Sequence, residues 1–122
     1  MGEGEVRSSE EFVDRAVERI MDPEESVLMK TGIDALDDTI NGVEEEDLII
    51  IGGRTSQGKT SLALSWLLHQ CVVKGNGVLY FPIEGSAEEI TTRLIRMRAK
   101  VEDPPYSDRE LKRIEKAAEE IK

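Results

Sequence analysis

Leu48-Ile49-Ile50-Ile51-Gly52-Gly53-Arg54-Thr55-Ser56-Gln57-Gly58-Lys59-Thr60 decides how this chain reads. An apolar run of four residues leads into a glycine-bounded loop, and a second apolar stretch, Ser61 to Val73, follows directly. The run Leu48–Ile51 is apolar at every position, which predicts a parallel strand buried on both faces. The stretch after the loop carries Leu62, Ala63, Leu64, Trp66, Leu67, Leu68, Cys71, Val72 and Val73, apolar on every side, which predicts a mostly buried helix. Gly53-x4-Gly58-Lys59-Thr60 between them is a complete phosphate-binding loop motif. The glycines let successive backbone N–H groups turn toward one anion, and the helix that starts there adds the positive end of its dipole. Lys59 would reach the β- and γ-phosphates, and the Thr60 hydroxyl would ligate Mg²⁺. The nucleotide-binding stretch is therefore Gly53, Arg54, Thr55, Ser56, Gln57, Gly58, Lys59, Thr60 and Ser61. Arg54 either contacts the nucleotide or covers the site.

Working outward, Lys74-Gly75-Asn76-Gly77 reads as a turn and Val78-Leu79-Tyr80-Phe81 as a second buried strand. Pro82 interrupts pairing there, because proline donates no ladder hydrogen bond. Glu84 follows at the strand's end. A carboxylate in that place either orients and deprotonates an attacking water or serves as an acidic group ahead of the next helix. Ser86-Ala87-Glu88-Glu89 is a capping box that opens a helix with Ile90, Leu94, Ile95 and Met97, and with Arg93, Arg96, Arg98 and Lys100 either on a solvated face or touching DNA or a neighbouring subunit. A last helix from about Ser107 presents Leu111, Ile114, Ala118 and Ile121 as a narrow stripe.

Upstream, Ser8 and Glu11 fit a capping box, and Phe12, Val13, Ala16, Val17, Ile20 and Met21 form one stripe on a helix that Asp22-Pro23 stops. Residues 1–7 read as a polar, mobile end. Thr31 to Asn41 reads as a short helix closed by Asn41-Gly42. Its Asp34, Asp37 and Asp38 resemble a metal-binding cluster, but their short-helix context suits capping and solvation better, and the acidic run Glu44–Asp47 suits a solvated turn. The order of elements implies an α/β domain, a parallel β-sheet flanked by helices.

Composition narrows the function classes. The 122 residues carry a net charge of −10, which argues against a free-standing, nonspecific nucleic-acid binder. The only local basic surplus is in residues 61–100, with five basic and three acidic side chains. One cysteine, Cys71, and one histidine, His69, leave no disulfide framework, no Cys-rich zinc site and no basis for a Ser-His-Asp triad. Trp66 and His69 suit packing on the buried helix, and Cys71 an inert thiol. No apolar run is long enough to span a membrane, so a cytoplasmic location is the default expectation.

Thr31-Gly-Ile-Asp-Ala-Leu-Asp37, Asp47-Leu-Ile-Ile-Ile51, the phosphate loop and Phe81-Pro-Ile-Glu-Gly-Ser-Ala-Glu-Glu89 together resemble the ATPase domain of DnaB-type hexameric replicative helicases, members of the RecA-like P-loop NTPases. The resemblance spans about residues 28–121. It implies a domain division into 1–30, tail and linker helix, and 31–122, the N-terminal half of the ATPase domain. It implies ATP and Mg²⁺ as cofactors, with Lys59 and Thr60 holding them and Glu84 and Lys59 as catalytic residues. It also implies a homo-hexamer, with helix 8–21 docking on a neighbour, and single-stranded DNA engaged by parts outside this chain. Pro82 and Gly85 depart from the family's more usual residues beside Glu84. No apolar strand ending in Asp follows Glu84, so the Walker B ligand is not found in this sequence. KaiC-like or RadA-like ATPase switches share the Thr-Gly entry and the strand-end Glu. A nucleotide-binding module that hydrolyses nothing is the third alternative. For the chain alone, weak Mg-ATP binding, little hydrolysis and exposed apolar surface are expected.

Overall fold

The computed structural model describes residues 8–22, 29–44 and 46–122. Residues 1–7, Pro23 and Glu45, for which a mobile end, a helix stop and part of a solvated turn were expected, lie outside the described residues. The chain divides into two compact units, Met1–Leu48 and Ile49–Lys122.

In the first unit, α1 (Ser9–Met21) starts where the serine predicts, with Ser8 Oγ accepting from the Glu11 N–H at 3.4 Å. It ends at Asp22, whose N–H donates to the Glu18 carbonyl. The expected apolar stripe is present and uncovered: Phe12, Val13, Val17, Ile20 and Met21 are all exposed. Helix α2 (Asp34–Ile40) closes on Asn41 and Gly42, both with positive φ, the left-handed exit that the Asn-Gly pair predicts. Met29 and Val43 then exchange two backbone hydrogen bonds in an antiparallel bridge that ties the start of this hairpin-like turn to its end.

What holds the entry to α2 is a carboxylate knot. Asp37 accepts from the Thr31 N–H (2.7 Å), the Thr31 hydroxyl (2.8 Å) and the Gly32 N–H (3.1 Å). Thr31 is only 1% exposed, so its donors need a partner inside the protein. Partial burial pushes the Asp37 carboxyl up. The donors of Thr31 and Gly32, with the charge of Lys30, outweigh that and hold it below the ordinary carboxylate value. Asp37 is thus a specific acceptor rather than merely a solvated or capping residue.

The second unit contains α3 (Lys59–Leu68), α4 (Ala87–Ala99) and α5 (Asp108–Ile121). Helix α3 runs on through a π-helical turn, His69–Val73, whose buried Gln70 accepts from the Asn76 amide at 2.7 Å and so fixes the following turn. Helices α4 and α5 both open on complete capping boxes, Ser86–Glu89 and Ser107–Glu110. They pack on each other around Ala99, Val101 and Ala117, with Ile95, Tyr106 and Ile114 closing over them. Ala117, not Ala118, is the fully buried alanine of α5.

The expected α/β class is overturned. The described residues form a helical structure with no strand and no parallel sheet, and so not the RecA-like P-loop NTPase fold. Leu48–Ile51 and Val78–Phe81 are unpaired segments, and their backbones exchange no hydrogen bond with each other. Leu48 is 87% and Leu79 79% exposed. The reason is that an apolar run records a preference for burial but not a partner, and a strand exists only through the partner that completes its ladder. The consequence reaches α3. A helix apolar on every side needs cover on every side, and without a sheet only Leu64 is fully buried while most of its neighbours are half-exposed.

Candidate phosphate-binding site

The site is built on the connection from Gly52 to the first turn of α3. Ser56 and Gly58 both have positive φ, 62° and 92°, and these two reversals curl the loop back toward the helix start. The curl is held from within. The Gln57 N–H donates to the Arg54 carbonyl at 3.3 Å, and Gln57 Oε1 accepts from the Arg54 N–H at 3.0 Å. Lys59 Nζ donates to the Gly53 carbonyl at 2.8 Å, which lays the ammonium across the loop. Both side chains pass close to Gly53, where a Cβ would stand in contact with Gln57 Oε1 and Lys59 Cγ, 3.4 Å from each. Gly53, Arg54, Gln57, Gly58 and Lys59 are therefore brought together in one curled loop.

The start of α3 is unlike that of α1, α4 and α5. Those three are closed by serine side chains, whereas Gly58 gives α3 no side-chain cap, and its first turn contains no acidic residue. The first intrahelical acceptance is by the Gly58 carbonyl from the Leu62 N–H, so the N–H groups of Lys59, Thr60 and Ser61 precede the ladder. The Thr60 hydroxyl is exposed and takes no partner among the described residues. Ser61 Oγ accepts from Arg93 Nη2 at 2.6 Å, a link between α3 and α4 that no local sequence pattern signals.

Glu84 stands in the exposed bend Ile83–Gly85, immediately before the Ser86 cap of α4. The strand that was to carry it is absent, and among the described residues its carboxylate makes no hydrogen bond or ion pair. Gly85, with φ of 84°, makes the bend. Of the basic residues on α4, Arg96 pairs with Asp103 and Arg98 with Glu120.

A family model for the DnaB-like helicase C-terminal domain matches residues 29–122. The chain belongs to the DnaB-like helicase C-terminal domain family. Among curated relatives, the replicative DNA helicase DnaB of Rickettsia conorii is 36% identical over 84 residues, covering 61% of this chain and 17% of that protein. The Rickettsia bellii protein of the same name is 33% identical over 98 residues, 71% of this chain and 20% of its own length. That of Pasteurella multocida is 35% identical over 74 residues, covering 61% of this chain and 16% of its own length. The chain thus spans about a fifth or less of these DnaB helicases. No solved structure matches it. The family assignment agrees with the resemblance carried by the Thr-Gly entry and the phosphate loop. No described helix of this DnaB-family chain is long and apolar enough to cross a membrane.

Proposed function

We propose that this chain is the ATP-binding portion of a DnaB-like replicative helicase that couples ATP hydrolysis to DNA unwinding. The observation that carries the proposal is the open start of α3: an uncapped helix N-terminus without acidic neighbours, approached by a curled loop whose lysine is held only by a carbonyl. Such an end attracts anions through its unclaimed N–H groups and its dipole. In this reading Gly53 to Ser61 cradle the phosphates, Lys59 leaves the Gly53 carbonyl for the β- and γ-oxygens, and the free Thr60 hydroxyl is the Mg²⁺ ligand. These residues fit both groups, since none of the three N–H groups or the hydroxyl is committed elsewhere. Bound Mg²⁺ supplies charge neutralisation on the phosphates.

Glu84 is the residue proposed to orient the attacking water and accept its proton. Its exposed place in the bend, with no ion pair among the described residues, leaves the carboxylate available for that role. No hydrogen bond fixes it to the loop among the described residues, and for the chain by itself we expect Mg-ATP binding with little turnover. Hydrolysis needs metal, water and a neutralising arginine positioned together. The helicase context further implies assembly into a hexamer, docking of α1 on a neighbouring subunit, and engagement of single-stranded DNA by other parts of the protein. Residues 1–30 are assigned to the linker and 31–122 to the nucleotide-binding portion.

Calorimetry of Mg-ATP binding to the chain and to Lys59→Ala tests the proposal. Binding that is lost in the variant is expected. Equal heats from both proteins, or none from either, would refute the phosphate-loop reading.

A further inference from the structure

Three arginines project from α4, and their partners differ. Arg96 and Arg98 are neutralised by Asp103 and Glu120. Arg93 has no carboxylate partner among the described residues; its guanidinium donates instead to the neutral hydroxyl of Ser61, at 2.6 Å. Ser61 is the third residue of α3, so this uncompensated charge is held against the first turn of the loop helix. That turn already carries Lys59 and contains no acidic side chain. Placing an unpaired cation at the positive end of a helix dipole is unfavourable for the empty protein. The arrangement becomes favourable when an anion of multiple charge lies on the N–H groups of the same turn.

The geometry points to Arg93 as a second cation of the phosphate site, anchored by Ser61, that raises affinity for the polyphosphate of a nucleotide. The inference rests on the phosphate-loop reading and extends it to a residue 32 positions downstream, on a different helix. Arg93 acts through its charge and its position. Lysine, which keeps the charge on a shorter donor, therefore substitutes for it in part, whereas glutamine, which keeps the donor without the charge, does not. Because the guanidinium is exposed, its contribution is screened by salt.

The test uses the full chain, with Mg-ATP and inorganic tripolyphosphate as probes, titrated at low and at higher salt, with helix content followed by circular dichroism. Arg93→Gln is expected to weaken both probes about three- to tenfold, the effect of one partly screened charge a few ångström away. It should also flatten the salt dependence while leaving helix content unchanged. Arg93→Lys should recover most of the affinity, and Ser61→Ala should lose part of it. Wild-type affinity in Arg93→Gln, equal weakness in Arg93→Lys, an unchanged salt slope, full affinity in Ser61→Ala, or a loss confined to Mg-ATP would each overturn the inference. If the unaltered chain binds neither probe and matches Lys59→Ala, the phosphate-loop reading itself fails and the inference falls with it, a result distinct from all the others.

Discussion

Replacing Asp37 dismantles the knot at the entry to α2, and the cost follows from its three hydrogen bonds. In Asp37→Ala the N–H and hydroxyl of Thr31, a residue 1% exposed, lose their acceptor, while the Gly32 N–H is exposed and is taken over by water. A hydrogen bond to a charged group is worth about 1.5–3 kcal/mol, and an orphaned buried donor costs about 1–3 kcal/mol. Two such losses, reduced because the carboxylate is only half-buried, give about 2–4 kcal/mol, a large part of a typical stability of about 5–15 kcal/mol. Asp37→Asn keeps one oxygen for Thr31 but turns an NH₂ toward the Gly32 N–H, and about 1–2 kcal/mol is expected. Urea unfolding followed by circular dichroism measures both, and amide exchange at Thr31 and Gly32 locates the change. The native carboxyl lies below its ordinary value of 3.8, so the knot contributes in full above that value. The contribution is lost as pH falls through the native pKa, and Asp37→Asn should remove that part of the acid dependence. A change below about 0.5 kcal/mol in Asp37→Ala, the level of an ordinary surface substitution, would refute the reasoning, as would Thr31 exchange in the unaltered chain at the rate of an open peptide.

Two further outcomes follow from single contacts. Gln57→Ala frees the Arg54 N–H for a ligand and removes a neutral hydrogen bond of about 0.5–1 kcal/mol that a phosphate must displace, so Mg-ATP affinity should rise about two- to fivefold by calorimetry; a fall would mean that Gln57 supports the loop rather than occupies it. Gly85→Ala places a Cβ 2.6 Å from Glu89 Oε2 at a φ of 84°. The Glu89 carboxylate can swing away only by releasing the Ser86 N–H, so thermal unfolding should show a loss of about 1–2 kcal/mol.

Local chemistry was legible in the sequence, and partnership was not. Ser86 and Ser107 announce their helices because a cap is decided within four residues, and Gly53 to Lys59 announce the curl because positive φ and N–H placement are decided within the loop. Leu48–Ile51 and Val78–Phe81 misled because their composition specifies burial without naming the neighbour that would pair with them. The Arg93–Ser61 bond spans 32 residues and has no periodic signature. The Thr31–Asp37 knot has a signal, a Thr-Gly pair with a carboxylate six residues on, but that interval belongs to neither helical nor strand periodicity, so the local pattern shows Asp37 only as a solvated or capping group.

The missing cap of α3 has a consequence for how this chain can evolve. A serine or aspartate at a helix start contributes about 1 kcal/mol, and α1, α4 and α5 all use one. Helix α3 forgoes it, and Gly58 holds the position in a left-handed conformation that other residues enter at a cost. Mutations that close this end would therefore be rewarded in any screen for heat resistance and penalised in any screen for ligand capture. An anion resting on those N–H groups acts as the absent cap, so that ligand concentration and thermal tolerance become one adjustable property of the protein.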